Sequence, residues 1–282
     1  MAPNDIGVYP QGSSFYRTIT MAVADLTENG FDSAERVQFW IQQIRSAAYA
    51  SMTPAHVLEA QLAATFRGIY QRQIERGGIL KYHPGVARFT LEKVKPRLRA
   101  ELDRRLMASR ELIKLNRAAA IEKTTQRFSG WATSIPAGGT DAADKVEVKT
   151  TVRKALAQLP FEERRVAVDQ GHKFVANLNN IIAVDGGAIA AEWHSHWRQA
   201  NYNFRRDHKE RDEHIYIIRN NWAMARGLMK ADGHRYTDEI TAPGEEVFCR
   251  CSYRYLYSLR SLPAGMVTEK GRAELERVRV AA

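Results

Sequence analysis

His194, His196 and His208, with Cys249 and Cys251 further along, are the residues of this chain whose types suit metal binding or proton transfer. Thiolate sulfur and imidazole nitrogen are the usual donors to structural zinc, and a site of this kind would pin the two ends of a small module together. The spacing departs from the common knuckle, in which two residues separate the cysteines; only Arg250 stands between Cys249 and Cys251. On a strand, residues two apart face the same way. The thiols equally admit plain packing against Trp193, Trp197 or Trp222, because free cysteine is among the most buried residue types. A disulfide between them would close a very small, strained ring. Two readings therefore stand side by side: no cofactor, or zinc held by His194, His196, His208, Cys249 and Cys251.

Asp207, Glu210 and Asp212 surround His208 in sequence, and a histidine near carboxylates can serve as a general base. No nucleophile motif, phosphate loop or HExxH helix accompanies them, and charged residues this close more often fix a turn through local hydrogen bonds. The chain is read as a non-enzyme on that ground. Arg205, Arg206 and Arg250 are expected either to fork onto Asp207, Asp212 or Glu245 or to stand in solvent. Val247, Phe248, Tyr253, Tyr255, Leu256 and Tyr257 form an aromatic and apolar stripe. Such a stripe can stack nucleic-acid bases, but on a strand it reads first as packing.

The order of these residues carries a resemblance. Trp197 is followed by Arg205, Arg206, His208 and Asp212, and then by Pro243, Gly244, Glu245, Cys249, Arg250 and Cys251. This pattern resembles the phage Mu F-like minor head (head-morphogenesis) family, over residues from about 159 to 262. Two positions depart from it: Glu213 stands where that family has glycine, and Phe248 stands where it has asparagine before the first cysteine. The resemblance implies a structural virion component of a tailed bacteriophage. It would be oligomeric, placed at the portal vertex or inner capsid, in contact with the portal or major capsid protein, and assembled in the host cytoplasm.

These residues must be positioned by the elements around them. Asp32 with Glu35 forms a capping-box pattern, and Val37, Trp40, Ile41, Ile44 and Ala48 then share a helical face. Thr53 and Pro54 open a second helix, striped by Leu58, Leu62, Phe66, Ile69 and Tyr70 and ended by Gly77 and Gly78. A third helix is expected from about Thr90 to Arg127. It holds eleven Lys or Arg against five Asp or Glu between Glu92 and Arg127, so Lys93, Lys95, Arg97, Arg99, Arg104 and Arg105 are the candidate contacts to packaged DNA. The competing reading is a solvated basic face over a buried leucine stripe. Lys145 to Leu159 and Phe161 to Val184 read as two helices interrupted by Pro160. Strand signals lie at 214–219 and 246–257.

The whole is expected to be α+β: a mainly helical N-terminal half followed by a small mixed helix and β-sheet module. An arm at 1–30, a helical domain at 31–133, a turn-rich linker at 134–140, the motif-bearing module at 141–268 and a charged helical tail at 269–282 complete the expected plan. At 282 residues with 44% hydrophobic and 26% charged residues the chain can bury a proper core. No stretch nears the roughly 20 apolar residues that cross a bilayer, and the start carries no signal-peptide pattern. The formal net charge of +10 favours an anionic contact without naming it. A metal-dependent nuclease or hydrolase on the histidines, and a free nucleic-acid-binding protein, are the rival classes.

Overall fold

Phe15, Ile19, Ala22, Val23 and Leu26 recur at helical spacing and are all buried, which makes one face of α1 (Ser14–Asn29) a core face. The expected arm is therefore a helix from Ser14; its first thirteen residues lie outside the described residues, 14–280 of this computed structural model. Helix α2 (Ala34–Ser51) starts one residue after Ser33, whose side chain accepts the Arg36 amide. Ser33 rather than Asp32 is thus the cap, and Asp32 is drawn off by the Arg36 guanidinium at 2.8 Å. Helices α3 (Ala55–Tyr70), α4 (Arg88–Ala132) and α5 (Lys145–Asp185) follow. A single π-helical turn over Gln71–Glu75 and a short 3-10 turn over Gly78–Tyr82 join α3 to α4.

Pro160 does not divide α5, and Pro96 is likewise carried inside α4. A proline in a helix forfeits one amide donor. Here residues just ahead of Pro160, Leu156 and Leu159, are buried, as are Phe174, Leu178 and Ile182 beyond it, so burial on both sides outweighs the single lost bond.

The chain divides into two compact units, each built from two separate stretches: residues up to Leu62 with Met107–Ala167, and Ala63–Leu106 with the chain from Val168 onward. This differs from the expected plan. The 134–140 segment is a turn inside the first unit: the Gly138 and Thr140 amides donate to the carbonyls of Asn29 and Thr27, and the expected module at 141–268 is shared between the two.

In the first unit, α1 and α2 pack with Ile121, Phe128 and Ala132 of α4 and with Val152 and Leu156 of α5. Asp25 ties α1 to α2, accepting from the Arg36 guanidinium at 2.8 Å and the Trp40 indole at 2.6 Å.

The second unit carries a three-stranded antiparallel sheet of order β2-β1-β3, made of β1 (Ala190–His194), β2 (Ile215–Ile217) and β3 (Ser252–Leu256). Ala190 lies opposite Ile217 on one side and Leu256 on the other. The fold class is α+β, as expected. Short helices α6 (Arg206–Glu210) and α7 (Trp222–Ala225) sit in the connections, and α8 (Glu269–Val280) closes the described chain. No helix among the described residues is long and apolar enough to cross a membrane.

Candidate functional site

Trp193 of β1 is fully buried and packs with Tyr216, Cys249, Cys251 and Tyr253. Its ring meets the His208 imidazole edge to face at 5.2 Å. His208, on α6, is only 2% exposed. Its Nδ1 lies 3.6 Å from the sulfur of Cys249 and 3.6 Å from that of Cys251. On the other side of the ring, Nε2 has no hydrogen-bond partner and sits 3.5 Å from Glu246 and 3.9 Å from Asp207.

The two cysteines precede β3 instead of lying on it, since that strand begins at Ser252. Their placement comes from a turn. Phe248 has φ +62°, and its amide donates to the buried Asp169 carboxylate at 2.7 Å. The Tyr202 hydroxyl donates to the Phe248 carbonyl and accepts the Arg250 amide. The Gly244 amide donates to the Cys249 sulfur at 3.3 Å, and Cys251 approaches the Ser195 hydroxyl at 3.8 Å. A hydrogen bond from the neighbouring Cys251 thiol is the main reason that Cys249 is pulled down to about 5, while the same contact pushes Cys251 up. The pair thus holds its first negative charge readily and its second with difficulty.

His194 and His196 stand apart from this cluster. His194 lies 3.1 Å from Glu192 on its own strand, and His196 meets the Tyr202 ring. Among the described residues, the Cys and His group is His208, Cys249 and Cys251 alone, so the five-residue zinc set is reduced to three. Trp193 packs with the thiols, as the packing reading has it. Trp222 does not, its indole donating to the Gly187 carbonyl.

Trp197 and Asp212 form a second knot. The Asp212 carboxylate accepts the Trp197 indole and the Ser195 amide, each at 2.7 Å, and Arg198 adds charge at 3.3 Å. Burial pushes the Asp212 carboxyl up, but those two bonds with the Arg198 and His194 charges outweigh it and hold the group below its ordinary range.

The Pro243-Gly244-Glu245 turn is also explained by backbone. Gly244 has φ +85° and a Cβ there would come within 3.0 Å of Ala176, so glycine is required. Glu245 accepts the Ala242 amide at 2.7 Å and not an arginine.

The expected arginine forks differ in their partners. Arg205 pairs with Glu246 at 2.6 Å and donates to the Val247 carbonyl. Arg250 meets His172 at 2.8 Å. Arg206 is 93% exposed and reaches Glu210 alone, which is the solvent reading. Asp207 is taken by Arg211.

No family model, curated protein or solved structure matches this chain.

Beside the cluster lies a cleft of about 800 Å³, walled in part by His172, Asn177, Asn180, Gly244, Cys249 and Cys251. Asp169, Ser195, Tyr202 and Glu246 escaped sequence reasoning. Each is an ordinary polar residue that gains its role from partners 17 to 79 positions away in the chain, brought near only by folding.

The basic stretch of α4 is largely paired. Lys95 meets Glu92 at 2.5 Å, Arg99 meets Asp103 at 3.7 Å, and Arg97 pairs with Asp185. Arg104 and Arg105 both hold Glu101 at 2.8 Å. Lys93 is exposed. Of the stripe, Val247 is exposed, whereas Tyr255 and Leu256 are buried in the core.

Proposed function

We propose that this chain is a structural minor head protein of a tailed bacteriophage, of the Mu F-like kind, that works through protein contacts at the portal vertex or inner capsid and is not an enzyme. The observation that carries this reading is at the two departures from the family pattern. Glu213 has φ +65° and Phe248 has φ +62°. A left-handed backbone is the conformation that glycine adopts freely and asparagine adopts more readily than other side chains. Both positions thus keep the backbone that the family's glycine and asparagine would favour, while their side chains have changed.

The remaining motif residues support the same reading. Trp197 with Asp212, His208 with Cys249 and Cys251, and the Gly244 turn are interior tethers of one unit. A pattern of this kind marks a fold rather than a reaction. The nuclease reading loses its three-histidine centre, because His194 and His196 do not join His208. Since five of the six candidate DNA-contacting side chains on α4 sit in ion pairs, the proposal rests on portal or capsid partners more than on packaged DNA.

Mass spectrometry of purified phage particles, with copy number measured against the major capsid protein, tests it. A few to tens of copies per particle, roughly, are expected for an oligomer at one vertex. Absence from both mature particles and purified procapsids would overturn the assignment.

A further inference from the structure

We infer that His208 Nδ1 and the sulfurs of Cys249 and Cys251 form a three-donor site for a soft divalent metal ion, zinc foremost, that joins α6 to the turn ahead of β3. This goes beyond the head-protein reading and does not depend on it.

The geometry is the first ground. With zinc–sulfur bonds of about 2.3 Å and zinc–nitrogen bonds of about 2.0–2.1 Å, a tetrahedral angle sets nitrogen and sulfur about 3.5 Å apart. Both His208 distances are 3.6 Å. A neutral imidazole nitrogen has one lone pair or one proton to offer, so a hydrogen bond alone would favour one sulfur over the other. Two equal separations are what a shared central ion requires.

Burial is the second ground. All three residues are buried, and their donor atoms lie within 4.8 Å of one another. His208 gains no strong hydrogen bond at either ring nitrogen, which is costly for a polar ring in the interior. An ion at Nδ1 satisfies that side of the ring. It also leaves Nε2–H facing Glu246, the carboxylate behind the histidine that metal-binding imidazoles commonly use.

Donor chemistry selects the metal. Thiolate and imidazole suit zinc and its transition-metal neighbours, whereas calcium and magnesium take oxygen ligands. A second grouping of Asp207, His208 and Glu246 is a weaker candidate, because Arg211 and Arg205 already occupy its two carboxylates at 2.8 and 2.6 Å. The CxC spacing, which departs from the usual knuckle, is accommodated by the left-handed turn at Phe248 immediately before the first cysteine. Three protein donors leave a fourth position for water or another ligand.

Cobalt(II) titration of the full chain, stripped of metal under reducing conditions, reads the site directly. The expected result is a thiolate-to-cobalt charge-transfer absorption with the intense visible bands of four-coordinate cobalt, saturating at about one equivalent and abolished by added zinc. Cys249→Ser and Cys251→Ser should each remove the charge-transfer band or cut it by about half, as expected when one of two thiolate donors is lost. His194→Ala and His196→Ala should leave it unchanged. The wild-type titration decides the matter even if a cysteine variant fails to fold. No charge-transfer absorption from a chain with native circular dichroism would overturn the site, as would a full-strength band in the Cys249→Ser, Cys251→Ser double variant. Presence or absence in phage particles bears on neither result, so this inference and the head-protein reading can fail separately.

Discussion

The Trp197 indole donates to the Asp212 carboxylate at 2.7 Å, and the Ser195 amide reaches the other oxygen at the same distance. Both donors lie between β1 and α6, so one carboxylate closes the loop that delivers His208 to the sheet. Asp212→Ala leaves two donors without an acceptor, and a loss of about 2–3 kcal/mol in urea unfolding is expected. Trp197→Phe, which removes one donor and keeps most of the ring, should cost less. Equal losses from the two variants would contradict this account.

Glu101 provides the pH dependence of the helical part of the second unit. Its carboxylate is 8% exposed and is held by Arg104, Arg105 and Asn177. Burial pushes its pKa up, and the three hydrogen bonds outweigh burial to bring it below the ordinary value. A folded pKa below the unfolded one, about 4 for a carboxylate, gives stability that is present above that value and lost as pH falls through the folded pKa. Thermal unfolding followed from pH 7 downward should show a loss in this acid window that Glu101→Gln flattens. Glu101→Ala, which removes the carboxylate shared by Arg104, Arg105 and Asn177, is expected to cost about 2–3 kcal/mol.

His83 titrates in another window. It is 1% exposed, with Nε2 on the Asn179 side-chain oxygen at 2.9 Å and Nδ1 on the Tyr257 hydroxyl at 2.6 Å. The Asn179 oxygen can only accept, so Nε2 carries the proton and Nδ1 accepts from Tyr257. Burial lowers the His83 pKa, opposed in part by the Asn179 bond. Its stabilising contribution is therefore full above the ordinary imidazole value of about 6.5 and declines as pH falls toward the lower folded value. In a histidine NMR titration the His83 ring should stay neutral through the range where an unperturbed imidazole gains its proton. A midpoint at or above the ordinary value would refute the assignment.

Glu213 offers a substitution that should stabilise. Its φ of +65° costs a side-chain-bearing residue about 1–2 kcal/mol, and its ion pair with Arg198 is long at 3.5 Å and exposed. Glu213→Gly relieves the strain but loosens the unfolded chain, so a net gain of about 0.5–1 kcal/mol is expected. Glu213→Val should move the midpoint of denaturation the other way, because a β-branched residue suffers most in that conformation.

The helices were legible from their residues because a helix is a local object. Leu62, Phe66 and Tyr70 on α3, and Leu91, Val94, Leu98 and Leu102 on α4, announce their buried faces within a turn or two of chain. The α+β class, the break at Gly77, the end of α5 near Val184 and the clustering of the motif residues in the later part of the chain were determined in the same way. Strand β1 was not legible. It is short and central, and Ala190, Ala191 and Trp193 bury on both faces, which erases the alternation that marks a strand covered on one side.

What tertiary structure alone decided is which of the chemically able residues meet. Sequence order placed five histidines and cysteines in one candidate set; folding brings His208 across 41 and 43 positions to Cys249 and Cys251 and leaves His194 and His196 outside. It also recruited Asp169 and Tyr202 to hold the Cys249-Arg250-Cys251 turn. The physical reason is that helix periodicity and caps report on neighbours along the chain, whereas a site depends on the direction of each side chain after the backbone has turned. At Glu213 and Phe248 that turn is left-handed, a backbone state that neither residue type announces by itself.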